Sequence, residues 1–264
     1  MLAEKRREMI LQALAQDGHV QTTALAQTLQ VTEETIRRDI MLLSRHGLLR
    51  KVHGGAAAVP QLQTERPYEQ RGKENTQAKR RIGEYAAGLI ADGEIIAIDG
   101  GGAGEWMARS LKGLTGLTIV TNSLRVGEII LDKLRDGEIT GRLIMLGGET
   151  DPNNRVVVGS LCAEMIGHLR FNRVFLGASA LGSKGPMAWN LEEGAVETAF
   201  ARQAQQTILL TESAKSRRSS LYQFMEYADV QMLITDAVNA FNEELKEALQ
   251  RACVEVRFVE IGKE

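Results

Sequence analysis

The sequence predicts a two-part chain: a small helical head ending in a two-stranded ribbon, then an α/β domain on a mostly parallel sheet. Three observations predict it. Apolar residues in the first 58 positions recur at helical spacing in three short runs, and two short extended pieces follow. From Pro60 to about Lys79 there are two prolines and almost no apolar periodicity. Beyond that, strand-like apolar runs alternate with helical ones, as a parallel sheet with helical crossovers requires. The expected boundaries are 1–58 for the head, 59–78 for a linker and 79–264 for the α/β domain.

In the head, the first helix carries Ile10, Leu11 and Leu14 and stops at Asp17-Gly18, a helix-end signal. Thr23 is the expected N-cap of a short helix, TALAQTL, with Leu25 and Leu29 inward. After a brief turn at Gln30-Val31, Thr32 is the expected N-cap of a third helix from Glu33 to His46, ended by Gly47. The extended pieces LLRKV (48–52) and AAAV (56–59) are joined by His53-Gly54-Gly55. Three helices and a ribbon make a winged helix-turn-helix pattern. After a helix over roughly 78–90, strands are expected at 94–99, 117–121, 142–146, 173–178, 206–211, 231–236 and 254–260. Helical stretches at 104–112, 123–135, 160–169, 192–204 and 241–251 fall between them.

Composition excludes several classes. Hydrophobic residues make up 44% and charged residues 25%, which is ordinary for a globular chain. No apolar run reaches the roughly 18 residues of a membrane helix, and the N-terminus lacks a signal-peptide core, so a cytoplasmic protein is expected. Two cysteines, Cys162 and Cys253, stand apart from any Cys/His cluster, which argues against a disulfide framework or a structural metal. No cofactor is expected. Net charge is −2, but the head holds eight Lys/Arg against six acids, with three of the four histidines. It is the side expected to meet an anion.

The third helix shows how. At about 100° per residue, Ile36, Ile40 and Leu43 fall within roughly 60° of one another and form the buried stripe. Glu34, Arg38 and Arg45 fall opposite, and Thr35 and Arg37 flank the stripe. A solvated face with Glu34 pairing Arg38 explains the same pattern. The preceding helix-turn and the ribbon decide for a recognition helix, whose arginines reach base edges or phosphates in a major groove. Arg50, Lys51 and His53 add cations on a glycine-tipped wing. The residues expected at DNA are Thr32, Thr35, Arg37, Arg38, Arg45, Arg50, Lys51 and His53.

In the second domain, EIIAID ends in Asp99 and runs into GGGAG and a helix, where bare amides can approach an anion. A tight turn explains the same glycines. GASALGSK (177–184) is no P-loop, because Lys184 comes one position late and no Ser or Thr follows it. Carboxyl ends of strands form the ligand crevice of an open α/β sheet. By that rule Asp99, Thr121, Asn122, Gly147, Gly148, Glu193 and Lys215 are expected to converge on one small polar molecule. Glu105, in the first turn after the glycine loop, is expected to repel a dianionic phosphate, favouring a sugar acid or a weakly bound sugar phosphate.

The sequence resembles the DeoR family of bacterial transcription regulators. VTEETIRRDIMLL (31–43) and RKVHGGA (50–56) carry the resemblance at the family spacing. It extends, less tightly, through IDGGG (98–102), LTIVTNS (117–123), LGGE (146–149), FLGASAL (175–181), EEGAVE (192–197) and ESAK (212–215). The resemblance implies a helix-turn-helix over 20–39 and a C-terminal domain similar to the sugar-phosphate isomerase and CoA-transferase type of fold. It also implies an effector held by Asp99, Gly100, Gly101, Gly102, Thr121, Asn122, Gly147, Gly148, Glu193 and Lys215. Three departures stand out. The loop after Asp99 has only Gly and Ala where the family commonly has hydroxyl residues, Glu212 replaces an Asp, and Ala214 replaces a Ser.

The function expected is a sequence-specific regulator, a repressor of a carbohydrate or sugar-acid operon. Its partners would be double-stranded operator DNA, a small sugar-phosphate or sugar-acid effector, and copies of itself, since one winged helix buries too little DNA for tight binding. The alternative is a sugar-phosphate isomerase fused to a DNA-binding head, with Asp99, Glu193 and Lys215 as acid/base groups. A non-specific nucleoid binder needs more positive charge than this head has.

Overall fold

The computed structural model describes residues 3–17, 19–46, 48–57, 68–237 and 241–261. The chain divides into two compact units, Met1–Gln61 and Leu62–Glu264. Gly18, Gly47 and residues 58–67, where helix ends and the first part of the linker were expected, lie outside the described residues.

The first unit contains α1 (Ala3–Asp17), β1 (His19–Gln21), α2 (Thr22–Leu29), α3 (Glu33–Arg45), β2 (Arg50–Val52) and β3 (Gly55–Ala57). Ile10, Leu14, Leu25, Leu29, Ile36, Ile40, Leu43 and Leu49 close its apolar core. The expected stripe of α3 is the buried one. Two readings are corrected. Residue Gln21, not Thr23, precedes α2, and it makes no side-chain cap bond. The wing is a three-stranded antiparallel sheet in the order β1-β3-β2, because His19–Gln21 pairs with β3. That pairing demands glycine at 55: a Cβ there would lie 1.9 Å from the Val20 carbonyl oxygen. α1 is tied to α3 by charge. Asp39, 4% exposed in its side chain, accepts from Arg6 Nε at 2.5 Å and Arg7 Nε at 2.9 Å.

The second unit opens on α4 (Tyr68–Lys73) and α5 (Thr76–Ala87). The residues from Tyr68 onward in the span expected as linker are therefore largely helical. Then come β4 (Ile95–Ile98), α6 (Gly102–Ser110), β5 (Leu117–Thr121), α7 (Leu124–Arg135) and β6 (Gly141–Met145). A hairpin of β7 (Glu149–Asp151) and β8 (Val156–Val158) leads to α8 (Ser160–Gly167) and β9 (Phe171–Leu176). β10 (Ala180–Leu181), β11 (Pro186–Ala188) and α9 (Leu191–Gln203) follow, then β12 (Ala204–Leu210), β13 (Tyr222–Gln223), β14 (Met232–Thr235), α10 (Glu243–Arg251) and β15 (Glu255–Phe258).

Seven strands form the main sheet, in the order β15-β14-β12-β9-β4-β5-β6, and every pairing in it is parallel. All seven were expected from apolar runs. The chain leaves β4 toward β5 and β6, then returns to add β9 on the other side of β4. The sheet therefore has a switch point between β4 and β9, where an open α/β sheet forms its crevice. One apolar cluster around Phe171, Val174, Phe200 and Leu233, and a second around Ile82, Ile96, Met107 and Ile130, pack the sheet.

Candidate functional site

The head presents a polar helix face. The Thr32 hydroxyl accepts the Thr35 N–H at 3.3 Å and shares a 2.9 Å bond with the Thr35 hydroxyl, so both threonines of the expected site fix the start of α3. Arg37 pairs with Glu33 at 2.7 Å and Arg38 with Glu34 at 3.4 Å. Both arginine side chains stay open to solvent, at 58% and 77%. Such pairs contribute a few tenths of a kcal/mol and are readily exchanged for a phosphate or a base edge. Arg45 is exposed in the last turn, about 10 Å along the axis from Arg38. Arg50 and Lys51 on β2, and His53 in the wing turn, are exposed.

The second unit holds a cavity at the switch point. Asp99 follows β4 there, and Gly177 follows β9. Burial pushes the Asp99 carboxyl up from 3.8 to about 6, against the Gly100 and Gly177 amides, the Asn122 side chain and Lys215, which favour the anion. The Gly100–Gly104 loop lines the cavity at the start of α6. Gly101 has φ +111°, which an L side chain rarely adopts, and a Cβ on Gly102 would meet the Lys79 stem at 2.8 Å. Glycine at 102 thus makes room for the Lys79 stem, which lies against it.

Lys79 is the residue that sequence reasoning missed most completely. Its ammonium donates to the carbonyls of Arg71 and Glu74 and pairs with Glu212 at 3.4 Å, with both partners under 8% exposed. Burial holds the lysine below its ordinary value, against the opposing pull of Glu212. Burial pushes the Glu212 carboxyl up, but Lys215 and then Lys79 outweigh it and hold it below its ordinary value. Lys215 also donates to the Ala178 carbonyl at 2.5 Å and sits 3.7 Å from Glu212. Across the cavity, Asn154 receives Arg71 and donates to Glu193 at 2.6 Å. Asn122, 3% exposed, has an Oδ1 with no hydrogen-bond partner.

Of the expected effector residues, Asp99, Gly100, Gly101, Gly102, Asn122, Glu193 and Lys215 line the cavity. Thr121, Gly147 and Gly148 do not. Thr121 is fully buried, donating to the Ile98 carbonyl at 2.6 Å and accepting from the Ser123 N–H at 3.0 Å. Gly148 lies against Val157 and Cys162, and Gly147 near Met165. Glu105 is not part of the cavity wall either. Its buried carboxylate accepts from the Tyr68 hydroxyl, and burial raises its pKa against that bond and against Arg125, Arg109 and Arg155. The expected repulsion between Glu105 and a ligand phosphate therefore loses its basis. Among the described residues no group of acids, histidines and cysteines is placed to hold a metal ion, and no helix is long and apolar enough to cross a membrane.

Known proteins share both units. Residues 6–61 match the DeoR-like helix-turn-helix domain, and residues 74–237 match the DeoR C terminal sensor domain. An uncharacterized HTH-type transcriptional regulator of Staphylococcus epidermidis is 32% identical over 80% of this chain and 83% of its own length. The HTH-type transcriptional repressor GlcR of Bacillus subtilis is 28% identical over 98% of each chain. The glycerol-3-phosphate regulon repressor of Escherichia coli is 28% identical over 90% of this chain and 92% of its own. Among solved structures, ribose 5-phosphate isomerase A of Methanocaldococcus jannaschii is 16% identical over 52% of each chain with a TM-score of 0.35, a distant likeness. A matched sensor domain spanning more than half of the sequence, behind a matched DNA-binding head, places this chain in the DeoR family of transcriptional regulators.

Proposed function

We propose that this protein represses a carbohydrate operon and is released from DNA when a small anionic polyol fills the cavity of its second unit. The reading rests on the cavity's donor and acceptor balance. Asn122 Oδ1 is an unpartnered buried acceptor beside the Asp99 carboxylate, so the body of the ligand must donate hydrogen bonds, as hydroxyls do. The glycine amides at the start of α6 suit one anionic end. With Glu105 outside the cavity, a phosphate fits that end as well as a carboxylate does. Two of the relatives above are named as repressors, one of them of a glycerol-3-phosphate regulon.

The protein binds this molecule without converting it. Lys79 and Lys215 already hold carbonyls and Glu212, so neither amine is free to shuttle a proton. It acts in the cytoplasm as a homo-oligomer, because paired half-sites supply the affinity one winged helix lacks.

The test uses the full chain. Duplexes selected from a random pool should bind it, and glycerol 3-phosphate or another phosphorylated or carboxylated polyol from a panel should release them. Lys215→Ala should keep DNA binding and lose the release. Interconversion of any panel member, followed by NMR, would favour the isomerase reading instead.

A further inference from the structure

The cavity wall that comes first in the chain after the DNA-binding unit is the segment from Tyr68 to Asn75. α4 has six residues, far short of what an isolated helix needs to persist. None of its described side chains belongs to either apolar cluster of the second unit. Its fastenings are polar. At its start, the Tyr68 N–H donates to the Asn153 carbonyl at 3.1 Å, the Tyr68 hydroxyl donates to Glu105, and Arg155 lies 5.9 Å from the Tyr68 ring. In its middle, Arg71 donates to Asn154. At its end, Lys79 holds the carbonyls of Arg71 and Glu74, and Arg218 pairs with Glu74 at 3.7 Å.

We propose that residues 68–75 form a strap whose grip depends on what the cavity holds, and that Lys79 is the positioning residue that releases it. The inference rests on the repressor reading above and adds how the cavity is heard by the DNA-binding unit. An ammonium has three hydrogens. Two of Lys79's contacts are strap carbonyls and the third is Glu212. The Lys79 stem lies against Gly102, so an anion seated on the loop amides arrives beside that ammonium. A second negative charge draws Nζ away from neutral carbonyls, since charge–charge attraction exceeds charge–dipole attraction at equal distance. The strap then loses two bonds that no apolar contact replaces. With the strap loosened, the population competent for DNA falls.

Hydrogen exchange on the full chain tests this. Adding glycerol 3-phosphate, or inorganic phosphate as the bare anion, should speed exchange of the amides of residues 69–77 by about ten-fold or more, while β4 and β9 stay protected. Lys79→Met should produce the same loosening with nothing bound and weaken binding to a selected duplex about five-fold or more. Tyr68→Phe, which removes one hydroxyl and keeps the ring, should loosen the strap less and weaken DNA binding less. Slower exchange of 69–77 with either probe overturns the inference. So does either variant binding the duplex as tightly as wild type while its strap exchanges faster. If wild type selects no duplex at all, the repressor reading fails and this inference falls with it.

Discussion

Arg38 in the first unit and Lys79 in the second are both cations paired with a glutamate at 3.4 Å, yet one side chain is 77% exposed and the other 7%. The difference separates two kinds of site. On α3 the charges are held loosely at the surface, each pair worth little, so a macromolecule can take them over at small cost. In the cavity Lys79, Glu212 and Lys215 are largely out of water and are bound to one another or to backbone carbonyls. Removing one partner there leaves a buried charge uncompensated. The first unit offers an interface, and the second a receptacle whose occupant must compete with the protein's own contacts.

The largest test of the comparison asks whether the units are separable. Ile40, 2% exposed, lies in the head's apolar cluster. Ile40→Asp should cost more than about 4 kcal/mol and unfold the head, while the second unit keeps its own transition in calorimetry. One cooperative loss of all structure would break the comparison at its root.

Asp99 comes next. The native carboxyl holds its proton to about pH 6, whereas the unfolded chain sheds it near 3.8. Between those values the native state binds more protons, so stability falls as pH rises through that window and levels off above it. Asp99→Asn removes that penalty. It should stabilise the second unit at pH 7.5 by about 1–3 kcal/mol, less whatever the Gly100 and Gly177 amides lose on meeting a neutral acceptor. The gain should vanish below about pH 4 in urea titrations, and the ligand response should weaken. A loss of stability at pH 7.5 would mean that the carboxylate is held by more than the cavity provides.

How much of this was legible in the sequence differs between the two units for the same physical reason. The α3 face rests on local rules: a Thr32 cap, a 3.6-residue stripe and exposed arginines. It could be read directly. Asp39 could not, because its partners Arg6 and Arg7 are more than 30 residues away. In the second unit, Asp99, Asn122, Glu193 and Lys215 were readable from strand and helix ends. Thr121 does not line the cavity because its hydroxyl is engaged by the Ile98 carbonyl and the Ser123 amide, and Asn122, just past the end of β5, does. Gly147 and Gly148 were misplaced because β6 lies two strands from β4, about 10 Å from the switch point. Tyr68, Arg71 and Lys79 left no signal at all. A six-residue polar helix has no periodicity to show, and the contacts of Lys79 with the Arg71 and Glu74 carbonyls and with Glu212 follow no local rule.

A smaller effect sharpens the interface side. Arg38→Ala removes an exposed side chain, so the melting temperature of the head should hardly move, within about 0.5 kcal/mol. Affinity for a selected duplex should fall by about 1–3 kcal/mol, with specificity relaxed at one base position. Uniform weakening across all sequences would make Arg38 a phosphate contact, and normal binding would remove α3 from the groove.

The smallest effect is on the wing, where exposure alone does not say which cation works. Arg50 and Lys51 are both exposed neighbours on β2, an edge strand. Lys51 stands opposite Ala56 and Arg50 opposite Ala57. Cross-strand partners share a face, and Ala56 is fully buried in the head's core. Lys51 therefore leaves the strand on the core side, and its long stem carries the ammonium around the edge to water. Arg50 leaves on the outer side, the face a ribbon can lay along a phosphate backbone. Neutralising a cation that contacts one phosphate lowers the slope of log K against log salt by about one unit. Arg50→Gln should show that change and weaken all duplexes alike, whereas Lys51→Gln should leave the slope nearly as it was. Equal contributions from the two would mean that the ribbon meets DNA edge-on, and no change from either would mean that it does not meet DNA.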